Sequence, residues 1–164
     1  LLEDALVLFR EGHRGVQFHL AIEDGLPSLD LDRDGIRRVI TNIVDNAVAA
    51  LPLAAPPAGD APSAPQSFAE GNVWVSARLD TEQEEVRIEI ADDGLGMTQE
   101  VKARLFEPYF STKAQGTGLG LAIVQTVLAD HRAYIRVRDN QPRGSRFVIE
   151  MPVRTAMGTP EAEA

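Results

Sequence analysis

The sequence contains no cysteine, which excludes disulfide bonds, zinc–thiolate sites and catalysis by a thiol. It has no apolar run of about 18 residues, the length that a membrane-spanning helix needs, and no signal peptide at its beginning. Basic residues are scarce: 16 Lys and Arg stand against 25 Asp and Glu, and the formal net charge is −9. Because nucleic-acid phosphates would be repelled by such a surface, we expect no nucleic-acid partner.

The 164 residues are enough for one domain with its own core. Helical spacing predicts helices over 1–10, 35–51, 99–105 and 119–130, the second capped by Asp32 or Asp34. Strand patterns cover 16–22, 72–79, 85–91, 133–137 and 145–151. These blocks predict an α+β fold, a two-layer sandwich with a mixed, mostly antiparallel sheet of about five strands on about three helices.

Two segments do not fit helix or strand. Residues 52–70 hold five of the ten prolines, and we interpret them as a flexible Pro/Ala-rich insertion within a domain that covers 1–152. Residues 153–164 are expected to be a disordered tail. Because the chain begins with Leu1 rather than Met, we expect it to be a piece of a longer protein.

Two glycine clusters carry the strongest functional signal. The first is Asp92-Asp93-Gly94-Leu95-Gly96-Met97, and the second is Gly116-Thr117-Gly118-Leu119-Gly120. Glycine lets the backbone approach a ligand closely, and the second cluster runs into a helix whose free N–H groups favour phosphate. Neither cluster has the spacing of a Walker A loop or a dinucleotide fingerprint. The alternative for the first cluster is an acidic hairpin turn.

A pair of asparagines suggests a metal. Asn42 and Asn46 are four residues apart on the helix predicted over 35–51, at the edge of its apolar stripe. An amide oxygen suits Mg²⁺, which takes few protein ligands and completes its shell with phosphate and water. The alternative is two solvent-facing asparagines on an amphipathic helix.

Between the glycine clusters lies an aromatic segment, Phe106-Glu107-Pro108-Tyr109-Phe110-Ser111-Thr112-Lys113. With the glycines and the short helix around it, residues 94–117 are predicted to form a lid. Lys113 could reach phosphate as a mobile charge. The alternative for the aromatic residues is a small apolar cluster beneath the lid.

These segments, in this order, resemble the ATP-binding catalytic domain of sensor histidine kinases, whose fold is shared with DNA gyrase and mismatch-repair ATPases. Asn42 and Asn46 resemble the N box, 92–96 the first glycine box, 106–110 the F box and 116–120 the second glycine box. The wording of 106–120 is most similar to nitrogen-regulation-type kinases. Residues 144–147 resemble the final glycine motif.

The resemblance implies ATP and Mg²⁺ as cofactors and a role for each matching residue. Asp92 would bind the adenine amino group, Gly94 and Gly96 would line the base pocket, and Phe106 and Phe110 would anchor the lid. The phosphate and metal group would comprise Asn42, Asn46 as the Mg²⁺ ligand, Lys113, Thr117, Gly118, Leu119 and Gly120.

The implied reaction is transfer of the γ-phosphoryl group to a histidine on a separate dimerising helical hairpin, and then to a response regulator receiver domain. His13, His19 and His131 lack the helical context of an acceptor, so we expect the acceptor elsewhere. Hydrolysing relatives carry a Glu where this chain has Asn42, and an amide cannot act as a general base.

The resemblance implies a cytoplasmic domain, compatible with a membrane-anchored sensor as the parent, and a homodimeric parent with a monomeric fragment. Three alternatives remain open: a nucleotide-dependent binding module without transfer, a hydrolysing ATPase of the same fold, and a serine kinase of the anti-sigma type. Asn42 argues against hydrolysis, and intact motifs argue against a module that transfers nothing.

Overall fold

The structure, a computed structural model, describes residues 1–52, 71–113 and 116–153. Its helices are α1 (Leu2–Gly12), α2 (Arg33–Ala50), α3 (Gln99–Arg104) and α4 (Gly120–Asp130). Its strands are β1 (Val16–Ile22), β2 (Gly71–Asp80), β3 (Glu85–Asp92), β4 (Tyr134–Asp139) and β5 (Ser145–Pro152). Most of the predicted insertion and tail lies outside the described residues, as do positions 114 and 115 of the lid.

The five strands form one sheet in the order β1-β2-β3-β5-β4. Strand β1 pairs with β2 in parallel, and every other neighbouring pair is antiparallel. The prediction of an α+β fold with a mixed, mostly antiparallel sheet is therefore confirmed. The two predicted hairpins, β2–β3 and β4–β5, are both present, whereas the central β3–β5 pairing joins segments that are far apart in the sequence.

Helices α1, α2 and α4 cover one face of this sheet. Alternate residues of β2, β3 and β5 point into the layer between them and are buried, as the period of a strand requires. Helix α2 is the central helix, with Ile36, Ile40, Ile43 and Val44 almost fully enclosed. The predicted count of about three helices describes this layer, and α3 lies outside it, in the lid segment.

The ends of α2 follow from local chemistry. The carboxylate of Asp32 accepts a hydrogen bond from the N–H of Asp34 at 3.1 Å and caps the first turn. At the other end Leu51 is extended, the conformation favoured before a proline such as Pro52. The chain thus leaves α2 at the edge of the domain where the first glycine cluster also lies.

His131 joins the beginning of α2 to the end of α4. Its Nδ1–H donates to the carbonyl of Val127 at 2.7 Å, and its Nε2 accepts from the N–H of Asp32 at 2.9 Å. The contact of His131 with the C-terminal end of α4 is thus a direct hydrogen bond to a carbonyl of the last turn. Because both ring nitrogens are used, the relative position of the two helices is fixed at this end.

The opposite face of the sheet carries polar and charged side chains, and we call it the outer face. Glu150 on β5 lies between Arg87 and Arg136, and Glu89 on β3 lies between Arg78 and Arg146.

The N–H of Val153, which the sequence placed in the tail, still donates to the carbonyl of Glu84 at 2.8 Å. None of the described helices is long and apolar enough to cross a membrane.

Candidate nucleotide-binding site

A cavity of about 670 Å³ opens between α2, the segment 95–98, the lid and the first turn of α4. Eight residues proposed from the sequence line it: Asn42, Asn46, Gly96, Phe110, Lys113, Thr117, Gly118 and Gly120. Four others do not line its wall: Asp92, Gly94, Phe106 and Leu119.

The two asparagines lie on the cavity side of α2. The amide nitrogen of Asn42 donates to the carbonyl of Arg38 at 3.0 Å, so its amide oxygen is directed away from its own helix. A Cβ atom placed on Gly120 would lie 2.9 Å from that oxygen. Helix α4 therefore begins against Asn42, and glycine is the residue that permits this close approach.

The side chain of Asn46 contacts the ammonium group of Lys113 in the structure. The Nζ of Lys113 donates to the amide oxygen of Asn46 at 2.7 Å, although the two residues are 67 apart in the sequence. An oxygen that accepts from an ammonium is oriented and charged suitably for a hard metal ion. Among the described residues no group of three or more His, Cys, Asp or Glu could hold a metal. Mg²⁺ would therefore fit here only with phosphate oxygens and water as its further ligands.

Asp45 also faces the cavity, and the sequence reading did not single it out. Partial removal from water raises the pKa of this carboxyl, and the positive charges of Lys113 and His13 oppose that rise. Partial burial likewise lowers the pKa of Lys113, and the charge of Asp45 opposes the decrease. The wall at Asn46 thus carries one acid and one base in a partly desolvated setting.

Asp92 lies at the end of β3, does not line the cavity and is 1% exposed. Its Oδ1 accepts from the N–H groups of Gly94 at 2.9 Å and Ser145 at 3.2 Å. Burial raises the pKa of this carboxyl, and the two N–H groups only partly oppose the rise. The hydroxyl of Ser145 is buried beside it and has no partner among the described residues.

The backbone after Asp92 passes very close to the end of α2. The N–H of Leu95 donates to the carbonyl of Ala50 at 3.0 Å. A Cβ atom on Gly94 would lie 2.5 Å from the same carbonyl oxygen. No side chain fits there, so Gly94 is required by packing between the turn and the helix.

The contacts that attach the lid to the domain include an apolar side chain in the core and a backbone hydrogen bond. Leu105 is 4% exposed and belongs to the core, whereas Phe106 and Phe110 are only partly buried. The N–H of Tyr109 donates to the carbonyl of Gly118 at 3.0 Å. This bond joins the aromatic segment to the second glycine cluster. The sequence showed only that the two segments are close to each other along the chain.

No side chain among the described residues caps the N-terminus of α4. Leu119 occupies the capping position without a side-chain hydrogen bond, and the hydroxyl of Thr117 accepts only a long hydrogen bond of 3.4 Å from its N–H. The first-turn N–H groups of α4 therefore lack the side-chain partner that most helices provide. Free N–H groups at a helix N-terminus favour anions, and these lie at the end of the cavity that also holds Lys113 and Asn46.

Several residues of the site were absent from the sequence analysis. Asp45 is three residues after Asn42, so helical spacing could have placed it near the cavity. Leu105 is the last residue of the helix predicted over 99–105, and only its burial identifies it as the anchor. Ser145 had no signal beyond its place in the final glycine motif, because its position beside Asp92 depends on the β3–β5 pairing.

The chain is similar to proteins of a known family. The model of the family described as histidine kinase-, DNA gyrase B- and HSP90-like ATPase matches residues 31–155. The chain belongs to this family. Among its relatives, it is 33% identical over 154 residues to the nitrogen regulation protein NtrY of Azorhizobium caulinodans, covering 94% of this chain and 18% of that protein. The expected likeness to nitrogen-regulation kinases fits this relative.

Two solved structures share the fold. The catalytic domain of histidine kinase ThkA, in a nucleotide-free form, has a TM-score of 0.73 at 27% identity, covering 92% of this chain and 89% of that one. Full-length ShkA in complex with AMPPNP has a TM-score of 0.71 at 26% identity, covering 92% and 29%. The chain is thus an ATPase domain of the sensor histidine kinase type. It spans between 16% and 28% of the length of the curated relatives it matches.

Proposed function

We propose that the domain binds Mg-ATP in the cavity and donates the γ-phosphoryl group to a histidine on a separate dimerising helical hairpin. The phosphoryl group would then pass to a response regulator receiver domain. One observation carries the proposal. An amide oxygen that accepts from a lysine ammonium and a helix N-terminus without a side-chain cap among the described residues lie at one cavity, although they come from distant parts of the chain.

The adenine end would be formed by Asp92, with its carboxylate accepting from the amino group of the base. Ser145 supports this role, because its buried hydroxyl has no partner among the described residues and could bind the ligand or a water beside it. Gly94 and Gly96 would line the base pocket. Phe106 and Phe110 would hold the lid over it, together with Leu105.

The phosphate end would be formed by Asn46 as ligand of Mg²⁺, with Asn42 and Lys113 near the same phosphates. The backbone of the second glycine cluster would bind phosphate oxygens through Thr117, Gly118, Leu119 and Gly120. Bound Mg²⁺ would offset negative charge on the transferred group. The side chains of this domain would mainly position the γ-phosphoryl group in line with its acceptor.

The acceptor would lie outside this domain. None of the three histidines lines the cavity, and each contacts a protein group: His13 bonds the carbonyl of Phe9, His19 the side chain of Asn72, and His131 both α2 and α4. A homodimeric parent kinase with this domain in the cytoplasm would bring an acceptor hairpin to the cavity.

A transfer assay with γ-labelled ATP and Mg²⁺, and with the hairpin of the parent kinase supplied in trans, tests this proposal. We expect acid-labile label on a histidine of the hairpin and little free phosphate from the domain alone. Nucleotide binding without any transfer would contradict the proposal and support a binding module. The same reaction with a hairpin that lacks its histidine is the matched control.

Asp45 supports one second candidate, a hydrolysing ATPase. It is a carboxylate on the cavity wall whose pKa is raised by burial, the property expected of a general base. Release of free phosphate without the hairpin, and its loss in Asp45→Asn, would favour hydrolysis. The amide at Asn42 favours transfer instead, because it cannot accept a proton from water at that position.

A further inference from the structure

The turn that follows β3 begins at Asp93, and a residue of β2 on the outer face of the sheet holds it in place. Asp93 lies directly after Asp92, and its carboxylate accepts two hydrogen bonds from one residue of β2. The N–H of Asn72 donates to Oδ1 at 2.8 Å, and the side-chain amide of Asn72 donates to Oδ2 at 2.9 Å. The N–H of Asp93 in turn donates to the carbonyl of Asn72 at 3.3 Å.

Each of the two peptide groups that flank Asp93 is hydrogen-bonded through both its carbonyl oxygen and its N–H group. In the peptide before it, the carbonyl of Asp92 accepts from the side chain of Asn140 at 2.8 Å, and the N–H bonds Asn72. In the peptide after it, the carbonyl of Asp93 accepts from Arg143 at 2.8 Å, and the N–H of Gly94 bonds the Asp92 carboxylate. The orientation of that carboxylate therefore depends on where Asp93 is held.

The orientation of the Asn72 amide is determined by its neighbours. A carboxylate only accepts, so the NH₂ group faces Asp93 and the amide oxygen faces His19. The Nε2–H of His19 donates to that oxygen at 2.9 Å. The imidazole also stacks on the ring of Trp74, with centroids 5.5 Å apart and an interplanar angle of 13°. Asn72 thus links Asp93 to the stacked rings of His19 and Trp74 on the outer face.

We propose that Asn72 is a positioning residue for adenine recognition, which it aids by holding Asp93 and through it the Asp92 carboxylate. This inference rests on the proposed function of Asp92 as the adenine ligand. Asn72 does not line the cavity and touches no reacting group. Its effect is therefore expected on the choice of base rather than on the binding of phosphates.

The experiment compares the dissociation constants of ATP and inosine triphosphate, which has an oxygen in place of the adenine amino group. In Asn72→Ala we expect ATP to bind about tenfold more weakly, the size of one lost hydrogen bond to a charged group. We expect inosine triphosphate to bind nearly as before. Ser76→Ala, on the same strand and face, is the control and should change neither constant.

A double-mutant cycle with Asp93→Ala identifies the route. If Asn72 acts through Asp93, the double variant should lose no more ATP affinity than Asp93→Ala alone. In His19→Ala the emission of Trp74, the single tryptophan, should change, and the ATP preference should fall by less than in Asn72→Ala. Thermal unfolding of each variant checks that the fold is retained.

The outcomes separate the two proposals. Equal weakening of both nucleotides in Asn72→Ala would indicate a merely structural role and overturn the inference, as would an unchanged ATP constant. Additive losses in the cycle would also overturn it. If the unaltered domain binds ATP and inosine triphosphate equally, the adenine role of Asp92 fails first, and the inference fails with it.

Discussion

The outer face of the sheet and the cavity both carry polar groups, but they use them differently. On the outer face Arg87 contacts Asp80, Glu85 and Glu150 at 3.0 to 3.6 Å. Charges there are paired with one another across strands. The first turn of α4 at the cavity, and the hydroxyl of Ser145 beside Asp92, lack such side-chain partners among the described residues.

This difference separates groups that stabilise the fold from groups available to a ligand. Cross-strand pairs on the outer face lower the free energy of the folded sheet, the more so where a carboxylate such as Glu150 is only 6% exposed. Unpartnered buried groups cost free energy in the absence of ligand. One such group, the Nε of Arg87, lies on the outer face, and another, the hydroxyl of Ser145, lies beside the Asp92 carboxylate, where a ligand could pair with it.

Gly144→Ala should have the largest effect, because this residue lies where the two regions meet. Gly144 has φ +105°, and a Cβ atom there would overlap the carbonyl oxygen of Asp92. Backbone strain and overlap together should cost about 3 kcal/mol or more. Urea denaturation should show this loss, and ATP binding should be lost with it. Gly12→Ala, where a Cβ atom meets no atom within 4 Å, should leave stability and binding nearly unchanged.

Asp92→Asn alters the carboxylate proposed to bind adenine and leaves the ion pairs of the outer face unchanged. An amide can still accept from Gly94 and Ser145, so the fold should be retained, but it cannot provide a charged acceptor for the adenine amino group. We expect ATP to bind roughly 100-fold more weakly, by analogy with hydrogen bonds to charged groups. Titration calorimetry measures this, with Asp130→Asn as a charge-matched control outside the cavity. Unchanged affinity would remove Asp92 from the adenine site.

Asn46→Ala tests the metal role in the same cavity. Loss of one amide oxygen should weaken ATP binding about tenfold in Mg²⁺ and should have little effect in EDTA. The comparison of the two conditions is the measurement, and Ala49 is a neighbouring wall position at which a Ser substitution serves as control. An equal loss in EDTA would reject Asn46 as the metal ligand.

Glu150→Ala addresses the outer face alone. Arg87 and Arg136 would both lose a partner at a nearly buried carboxylate, and we expect a loss of about 1–3 kcal/mol in the free energy of unfolding. Nucleotide affinity should be unchanged. Arg37→Ala removes an exposed pair with Asp34 and should cost less than about 0.5 kcal/mol. A change in ATP affinity in Glu150→Ala would show that the two regions are coupled.

The smallest effect concerns pH and the burial of Asp92. Its pKa in the folded state is raised above the ordinary value of 3.8, mainly by burial. Below the pKa values of both the folded and the unfolded state, the Asp92 carboxyl is neutral in both states. Above both values it is charged in both states, and the charge costs free energy only in the folded state, where the group is buried. Stability should therefore fall as pH rises from 3.8 through the folded pKa. The difference in unfolding free energy between the unaltered domain and Asp92→Asn, measured over pH 4–7, should show this fall.

Local patterns were sufficient for the elements themselves. The strand predicted over 16–22 matches β1, and the helix predicted over 35–51 matches α2 within two residues at its beginning. Apolar periodicity and the capping carboxylate of Asp32 are properties of neighbouring residues, so they can be read directly. The order of the motifs in the sequence likewise predicted the family.

The arrangement of the site depended on contacts that no local pattern contains. Lys113 reaches Asn46, and Ser145 lies beside Asp92, only because the sheet order brings β3 next to β5 and α2 next to the lid. The contact between Asn72 and Asp93 likewise requires the β2–β3 register. Side chains far apart in the sequence have no periodicity in common that could have predicted these pairs.

By itself the sequence determined which segments are helices and strands, which glycines and polar residues form motifs, and which family they resemble. The tertiary structure alone decided which of those residues share the cavity, which carboxylates are paired on the outer face and which buried groups keep no partner. The reason is physical. Secondary structure follows from interactions along the chain, whereas desolvation and pairing follow from distances that exist only once the sheet and helices have packed.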